Sequence, residues 1–237
     1  MTKKFSQIHV LLIVMVIVIL TMWTLTGSDF LNPGNFQSMA YQMPELGILT
    51  LAMMIPMLTA GINLSIIATA NLSGIVMALI LTSETSLQAT GWQSILIVAG
   101  AILVGFLIAA LIGAINGFFI AYLDLPPILA TLGMMVMLNG ISIVITQGYV
   151  ISGFPEAMLE IGSADILGIP VPFLLLLICA GIVSLVLNRT PTGTRIYMIG
   201  SNPVACFYSG VNNKTVLLRT YILSGILSSG ISRSSTR

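Results

Sequence analysis

Residues 94–116 read SILIVAGAILVGFLIAALIGAIN, without a charged side chain. An apolar run of this length matches what a helix needs to cross the hydrocarbon core of a bilayer. Lipid cannot satisfy free backbone N–H and C=O groups, so such a run must be helical, and it lacks the alternating pattern of an outer-membrane barrel strand. Working outward, comparable runs occupy residues 8–26, 43–60, 66–82, 128–146 and 170–187, with a shorter apolar piece from Val216 to Leu227. The expectation is an all-α, polytopic transmembrane helical bundle of about six full spans plus a partial seventh. Linkers, charge runs and low-complexity tracts are absent, so residues 1–237 read as a single membrane domain.

Composition demands the same solvent. Hydrophobic residues make up 57% of the chain and charged residues 6%, and the mean hydropathy is +1.08. A water-soluble domain carries roughly a quarter of its residues as charges, which this sequence cannot supply. A net charge of +1 with scattered basic residues excludes nucleic acid as a partner, because phosphate binding needs clustered Lys and Arg. Cys179 lies in an apolar stretch and Cys206 in a polar one, which does not make a disulfide framework. The segment after Lys3 and Lys4 is longer than a signal-peptide core and is followed by Thr26-Gly27-Ser28-Asp29 rather than a small-x-small cleavage site, so it reads as a first membrane helix.

Threading the runs alternately from a cytoplasmic N-terminus puts Lys3, Lys4, Arg189, Arg195, Lys214, Arg219, Arg233 and Arg237 in cytoplasmic segments or at cytoplasmic helix ends, as the positive-inside rule requires. Asp29, Glu45, Glu84, Glu156, Glu160 and Asp165 then fall outside, and Asp124 inside. The two long polar insertions, residues 147–169 outside and 188–215 inside, are candidate contact surfaces.

Between the second and third runs stands Thr59-Ala60-Gly61-Ile62-Asn63-Leu64-Ser65, with Asn71, Ser73 and Gly74 following in an apolar helix. Interrupted membrane helices with short polar side chains line pathways in transporters. A tight turn with helix-to-helix hydrogen bonds accounts for the same residues. Asn63, Ser65, Asn71 and Ser73 are therefore candidate pathway residues, joined by Thr131, for which packing on a neighbour is the competing role. Ala101, Gly105, Ala109, Gly113, Gly117 and Ala121 recur every fourth position, a flat face for close helix packing through Gly105, Gly113 and Gly117. Asn116 on the adjoining face is ambiguous. Asp124, Pro126 and Pro127 end that helix.

His9, the sole histidine, reads as an interfacial residue, and the methionines read as flexible packing groups, so no metal site and no cofactor is expected. No ionisable residue falls in the middle of a run, whereas proton- or voltage-driven carriers usually bury such groups for function. No Gly-x-x-x-x-Gly-Lys-Ser/Thr loop is present. An uncharged polar substrate and an energy source on another subunit follow.

The stretch Gly193-Thr-Arg-Ile-Tyr-Met-Ile-Gly200-Ser-Asn202-Pro203-Val-Ala205, continuing to Ser209-Gly210-Val211, resembles the loop before the seventh span of ribose-type ABC-importer permeases. That family shows Gly-Arg-x-x-Tyr-x-Ile-Gly-x-Asn-Pro-x-Ala-Ala followed by Ser-Gly-Ile; Thr194 and Cys206 depart from it. Gly61-Ile62-Asn63-Leu64-Ser65 is similar to its Gly-Gly-Ile-Asp-Leu-Ser, with Ala60 for Gly and Asn63 for Asp, and Pro126-Pro127-Ile128-Leu129-Ala130-Thr131-Leu132-Gly133 to its Pro-Pro-Phe-Ile-Ala-Thr-Leu-Gly. The resemblance implies a multi-pass permease of the bacterial inner membrane, importing ribose-like sugars or autoinducer 2. It implies as partners two ABC ATP-binding subunits, a second permease copy or close paralogue, and a periplasmic or extracellular sugar-binding protein.

On that resemblance the cytoplasmic segment 188–215 is the coupling loop to the ATPase, with Gly193, Gly200, Asn202, Pro203, Ala205 and Gly210 as its candidate residues. Asn202 is placed to cap a helix beginning at Pro203, and an ordinary amphipathic interfacial segment is the competing account. A branched-chain amino acid permease and a polytopic scaffold without transport are the rival functions. The family pattern continues for about three further spans, so the chain is expected to be truncated at its C-terminus. Residues 216–227 make only roughly 18 Å of helix against a hydrocarbon core of about 30 Å.

Overall fold

The computed structural model describes residues 2–27, 30, 32–83, 86, 91–149, 151, 165–166 and 169–230. In chain order its helices are α1 (Thr2–Thr26), α2 (Pro33–Met57), α3 (Ile66–Leu81), α4 (Trp92–Tyr122), α5 (Pro127–Thr146), α6 (Val171–Arg189), α7 (Pro191–Ser201), α8 (Pro203–Tyr208) and α9 (Asn213–Ser229). A two-residue antiparallel bridge, β1 (Asp165–Ile166) with β2 (Ile169–Pro170), leads into α6. The rest of the 147–169 insertion falls largely outside the described residues, as do Asp29, Glu84, Glu156, Glu160, Arg233 and Arg237.

Four described helices are both long and apolar enough to cross a membrane: His9–Thr26, Trp92–Tyr122, Pro127–Thr146 and Val171–Arg189. The count of six full spans is not reproduced by length and hydropathy, for local reasons. Gln37, Gln42 and Glu45 sit within α2 and dilute its apolar run. The 16 residues of α3 rise only about 24 Å, short of a core of about 30 Å.

The helix ends follow from their residues. Asn32 accepts from Gly34 N at 3.1 Å ahead of Pro33, and Thr190 accepts from Gly193 N at 3.3 Å ahead of Pro191. Each pairs a side-chain N-cap with a proline whose missing N–H costs nothing at the first helical position. At the end of α2, Gly61 N donates to Pro56 O and Ala60 N to Met57 O, both at 3.0 Å. This closes a Schellman turn with Ala60 in the left-handed conformation, φ 59, a place glycine usually holds.

The bundle is built around α9. It packs on α4, α2 and α3, while α3 also meets α4 and α5, and α2 meets α6. Ala68, Leu72, Ile112, Met134 and Leu138 join α3, α4 and α5. A second cluster, Ile55, Val183, Leu187, Ile196, Ile199, Cys206 and Val216, ties α2 and α6 to α7, α8 and α9. Each described side chain of α1 from His9 onward is exposed, leaving an apolar rod outside this core.

Sequence reading treats α9 as a short apolar piece whose flanking polar residues are costly to bury. In the bundle α9 runs over 17 residues because protein surrounds it. Thr220 donates to Val216 O at 2.8 Å, Ser228 to Gly225 O at 2.6 Å and Ser229 to Ile226 O at 2.7 Å. Hydroxyls that close on their own helix remove the penalty for burial away from water.

Candidate functional site

The break between α2 and α3 is the polar centre of the bundle. Asn116 Nδ2 on α4 donates to Ser65 Oγ at 2.8 Å; Ser65 Oγ donates to Asn63 Oδ1 at 2.8 Å; Asn63 Nδ2 donates to Ser224 Oγ at 3.0 Å; and Ser224 Oγ donates to Ala52 O at 2.7 Å. Ser65 N also donates to Asn63 Oδ1, at 3.1 Å. The chain of donors runs in one direction from α4 through the break to α9 and α2, and each link polarises the next. Asn63 and Asn116 are each 1% exposed. Asn116 Oδ1 and the hydroxyl of Tyr221 stay buried without a partner.

Thr131 joins the same region from α5, donating to Pro127 O at 2.7 Å and reaching Ile62 O at 3.2 Å. The candidate pathway residues therefore separate. Asn63, Ser65 and Thr131 come together in a buried seam. Ser73 is buried but turned back on Ala70 O at 2.9 Å. Asn71 lies on the exposed side of α3, away from the seam. Ser224 and Tyr221 were not singled out in the sequence because they belong to α9, whose mixed composition hid it, and Asn116 carried no sign of its partner.

Glycines let the backbones close around this seam. A Cβ on Gly113 would meet Tyr221 O, one on Gly117 would lie 2.9 Å from Leu218 Cα, and one on Gly225 would meet Ala109 O. Gly105 lies against Met77 of α3. Gly61 faces Tyr221, whose hydroxyl would stand 2.5 Å from an added Cβ.

The 188–215 segment folds as α7, α8 and the turn into α9. Asn202 Oδ1 accepts from Val204 N and Ala205 N, both at 3.0 Å, and starts α8 at Pro203. Gly193 lies against the Leu187 backbone. Gly200 lies against the carbonyl of Leu58, and a Cβ added to it would also stand 3.6 Å from Thr59 Cα. Only a residue without a side chain fits this approach of α7 to the end of α2. In α8, Cys206 is buried, while Pro203 and Ala205 are exposed and Val204, Phe207 and Tyr208 are 64%, 68% and 83% exposed. Gly210 takes φ 78 in the turn that follows, and Asn213 Nδ2 returns to Pro203 O at 2.8 Å. Among the described residues no group of three His, Cys, Asp or Glu side chains is placed to hold a metal.

A helical membrane bundle with a broken helix at its centre and an exposed helical hairpin at one end has the form of a permease subunit. The family described as branched-chain amino acid transport system / permease component matches residues 35–231, and the chain belongs to that family. Among its relatives, the D-allose transport system permease protein AlsC of Escherichia coli K12 is 30% identical over 213 residues, covering 90% of this chain and 62% of that protein. The autoinducer 2 import system permease protein LsrD of Escherichia coli K12 is 29% identical over 189 residues, covering 77% of this chain and 54% of that protein; the LsrD of Shigella flexneri matches to the same extent. The chain thus spans between about half and three-fifths of the length of these relatives. No solved structure matches it.

Proposed function

We propose that this chain belongs to the membrane-spanning permease of an ATP-driven importer for a ribose-like sugar, working with ABC ATP-binding subunits, a second permease copy or paralogue, and an extracytoplasmic sugar-binding protein. The observation that carries the reading is the seat of Gly200 against Leu58 and Thr59. It seats the α7–α8 hairpin on the end of α2 where the break begins, so a partner that moves the hairpin moves the break. Rigid-body rocking about interrupted helices is how alternating access is produced in transporters.

The chemistry of the centre supports an uncharged solute. The side chains hydrogen-bonded in the seam include no carboxylate or ammonium, so nothing in the break calls for a charged solute. The relatives named for D-allose and autoinducer 2 import support the sugar reading over an amino acid, whose charged ends call for charged or helix-terminal partners. Within this reading Asn71, exposed on α3, lines the solute path, while Asn63, Ser65 and Thr131 fix the shape of the break and Ser73 satisfies its hydroxyl within α3. Gly193, Gly200, Asn202, Pro203, Ala205 and Gly210 shape the docking hairpin, and it and the N-terminus are cytoplasmic.

The experiment is uptake into vesicles holding the permease with its genomically adjacent ATPase and binding protein. ATP-dependent accumulation of a pentose, D-allose or autoinducer 2 is expected. Accumulation of leucine with no sugar uptake would replace this reading with the amino acid one, and an absence of any ATPase partner would leave a scaffold.

A further inference from the structure

At the end of the bundle where α4 and α6 stop and α9 begins, a pocket of about 100 Å³ opens between α7 and α9, lined by Thr192, Arg195, Asn212, Thr215, Val216 and Arg219. Its chemistry is one-sided. Two guanidiniums, two hydroxyls and the amide of Asn212 surround it, and no carboxylate lines it. Among the described residues neither Arg195 nor Arg219 has an ion pair. Asn212 Oδ1 is already occupied by Thr215 N at 3.2 Å, which leaves its Nδ2 as a donor. The pocket also lies at the N-terminal end of α9, where the helix dipole favours an anion.

Position and size narrow the anion. Arg219 stands in the second turn of α9, just past the first buried residue of that helix, Val216. In the first turn of the same helix, Lys214 Nζ lies 5.6 Å from the Tyr122 ring centre, and Tyr122 is itself partly exposed at the end of α4. A tyrosine and basic residues at helix ends mark the level of lipid headgroups. The space, open on one side, accommodates a phosphate group. Arginine's planar fork matches phosphate oxygens two at a time.

We propose that the pocket binds the phosphate of an anionic membrane lipid, so that α7 and α9 are held together at the bilayer surface by a headgroup. The test uses the chain reconstituted in nanodiscs of phosphatidylcholine with a minor fraction of phosphatidylglycerol, followed by native mass spectrometry of the lipids retained on release. Preferential retention of phosphatidylglycerol is expected. At about 1 kcal/mol for each basic side chain near an anionic surface, Arg195→Gln with Arg219→Gln lowers retention roughly 30-fold, and either single change roughly fivefold. Lys214→Gln removes a charge near the same surface but outside the pocket, so it is expected to lower retention less than either Arg change does; an equal or larger loss would show a diffuse surface attraction and overturn the pocket. Circular dichroism identifies a variant that fails to fold, in which case the single changes decide. Equal retention by wild type and the Arg variants overturns the proposal and leaves the pocket to an acidic side chain of a docked protein. Displacement of the lipid by submillimolar inorganic phosphate overturns it in favour of a soluble anion.

Discussion

Asn63 in the α2–α3 break and Ser224 in α9 meet through a 3.0 Å hydrogen bond between residues 161 positions apart. The same Ser224 hydroxyl donates to Ala52 O at 2.7 Å, so one buried serine in α9 fastens the break to α2 as well. Removing Asn63 leaves Ser65 and Ser224 short of partners in a dry site, where an orphaned polar group costs about 1–3 kcal/mol. Asn63→Ala is expected to destabilise the protein by about 2 kcal/mol on that ground. A double-mutant cycle with Ser224→Ala should give a coupling of about 0.6–1.7 kcal/mol, the range for buried pairs in membrane bundles. Reversible unfolding in mixed micelles measures both, and additive single changes would show that the bond does not fasten the break.

Ala60 at φ 59 occupies the Schellman position where the resembled family carries glycine. A Cβ in left-handed backbone costs about 1–2 kcal/mol. Ala60→Gly should therefore raise stability by about 1 kcal/mol even after glycine's larger entropy loss on folding. A fall in the unfolding midpoint would contradict the turn geometry.

Gly225 and Gly113 let α9 cross α4 at backbone contact. Gly225→Val drives a side chain into Ala109 O and should cost about 1–3 kcal/mol by overpacking. A Cβ added at Gly100 meets nothing within 4 Å, so Gly100→Ala should fall within about 0.5 kcal/mol of the parent. Thermal unfolding in detergent compares the two, and equal effects would deny the close crossing.

Both ends of α5 and α6, the C-terminal end of α1 and the start of α4 were legible to within two residues because each is an apolar run bounded by polar residues, Pro or a charge, whereas α1 starts at Thr2, six residues before its run, and α4 continues to Tyr122. The helix α9 was legible only in part, since protein rather than lipid surrounds it and its serines satisfy themselves on the backbone. The same limit applies to the site. Asn71 and Ser73 are two residues apart and point to opposite sides of a helix, but α3 is apolar all round, so its sequence does not say which side is covered. Asn202 at the start of α8 was readable because a cap is local. The seat of Gly200 on Leu58 was not, because it joins segments that only the folded bundle brings together.

The proposed orientation has the hairpin on the cytoplasmic side. A single cysteine introduced at Thr194, which is exposed, in a background lacking Cys179 and Cys206, should resist an impermeant thiol reagent added to intact cells and react in inverted vesicles. Labelling from outside would reverse the topology and remove the hairpin from contact with a cytoplasmic ATPase.

The central claim is that the α7–α8 hairpin drives the break through Gly200. The most direct measurement is the ratio of solute transported to ATP hydrolysed in vesicles carrying the assembled transporter with Gly200→Ala and Gly200→Trp permeases. In permeases that still assemble with the ATPase, checked by co-purification, the account predicts that uptake per ATP falls modestly for alanine and at least about tenfold for tryptophan. An unchanged ratio in the Gly200→Trp transporter would contradict it.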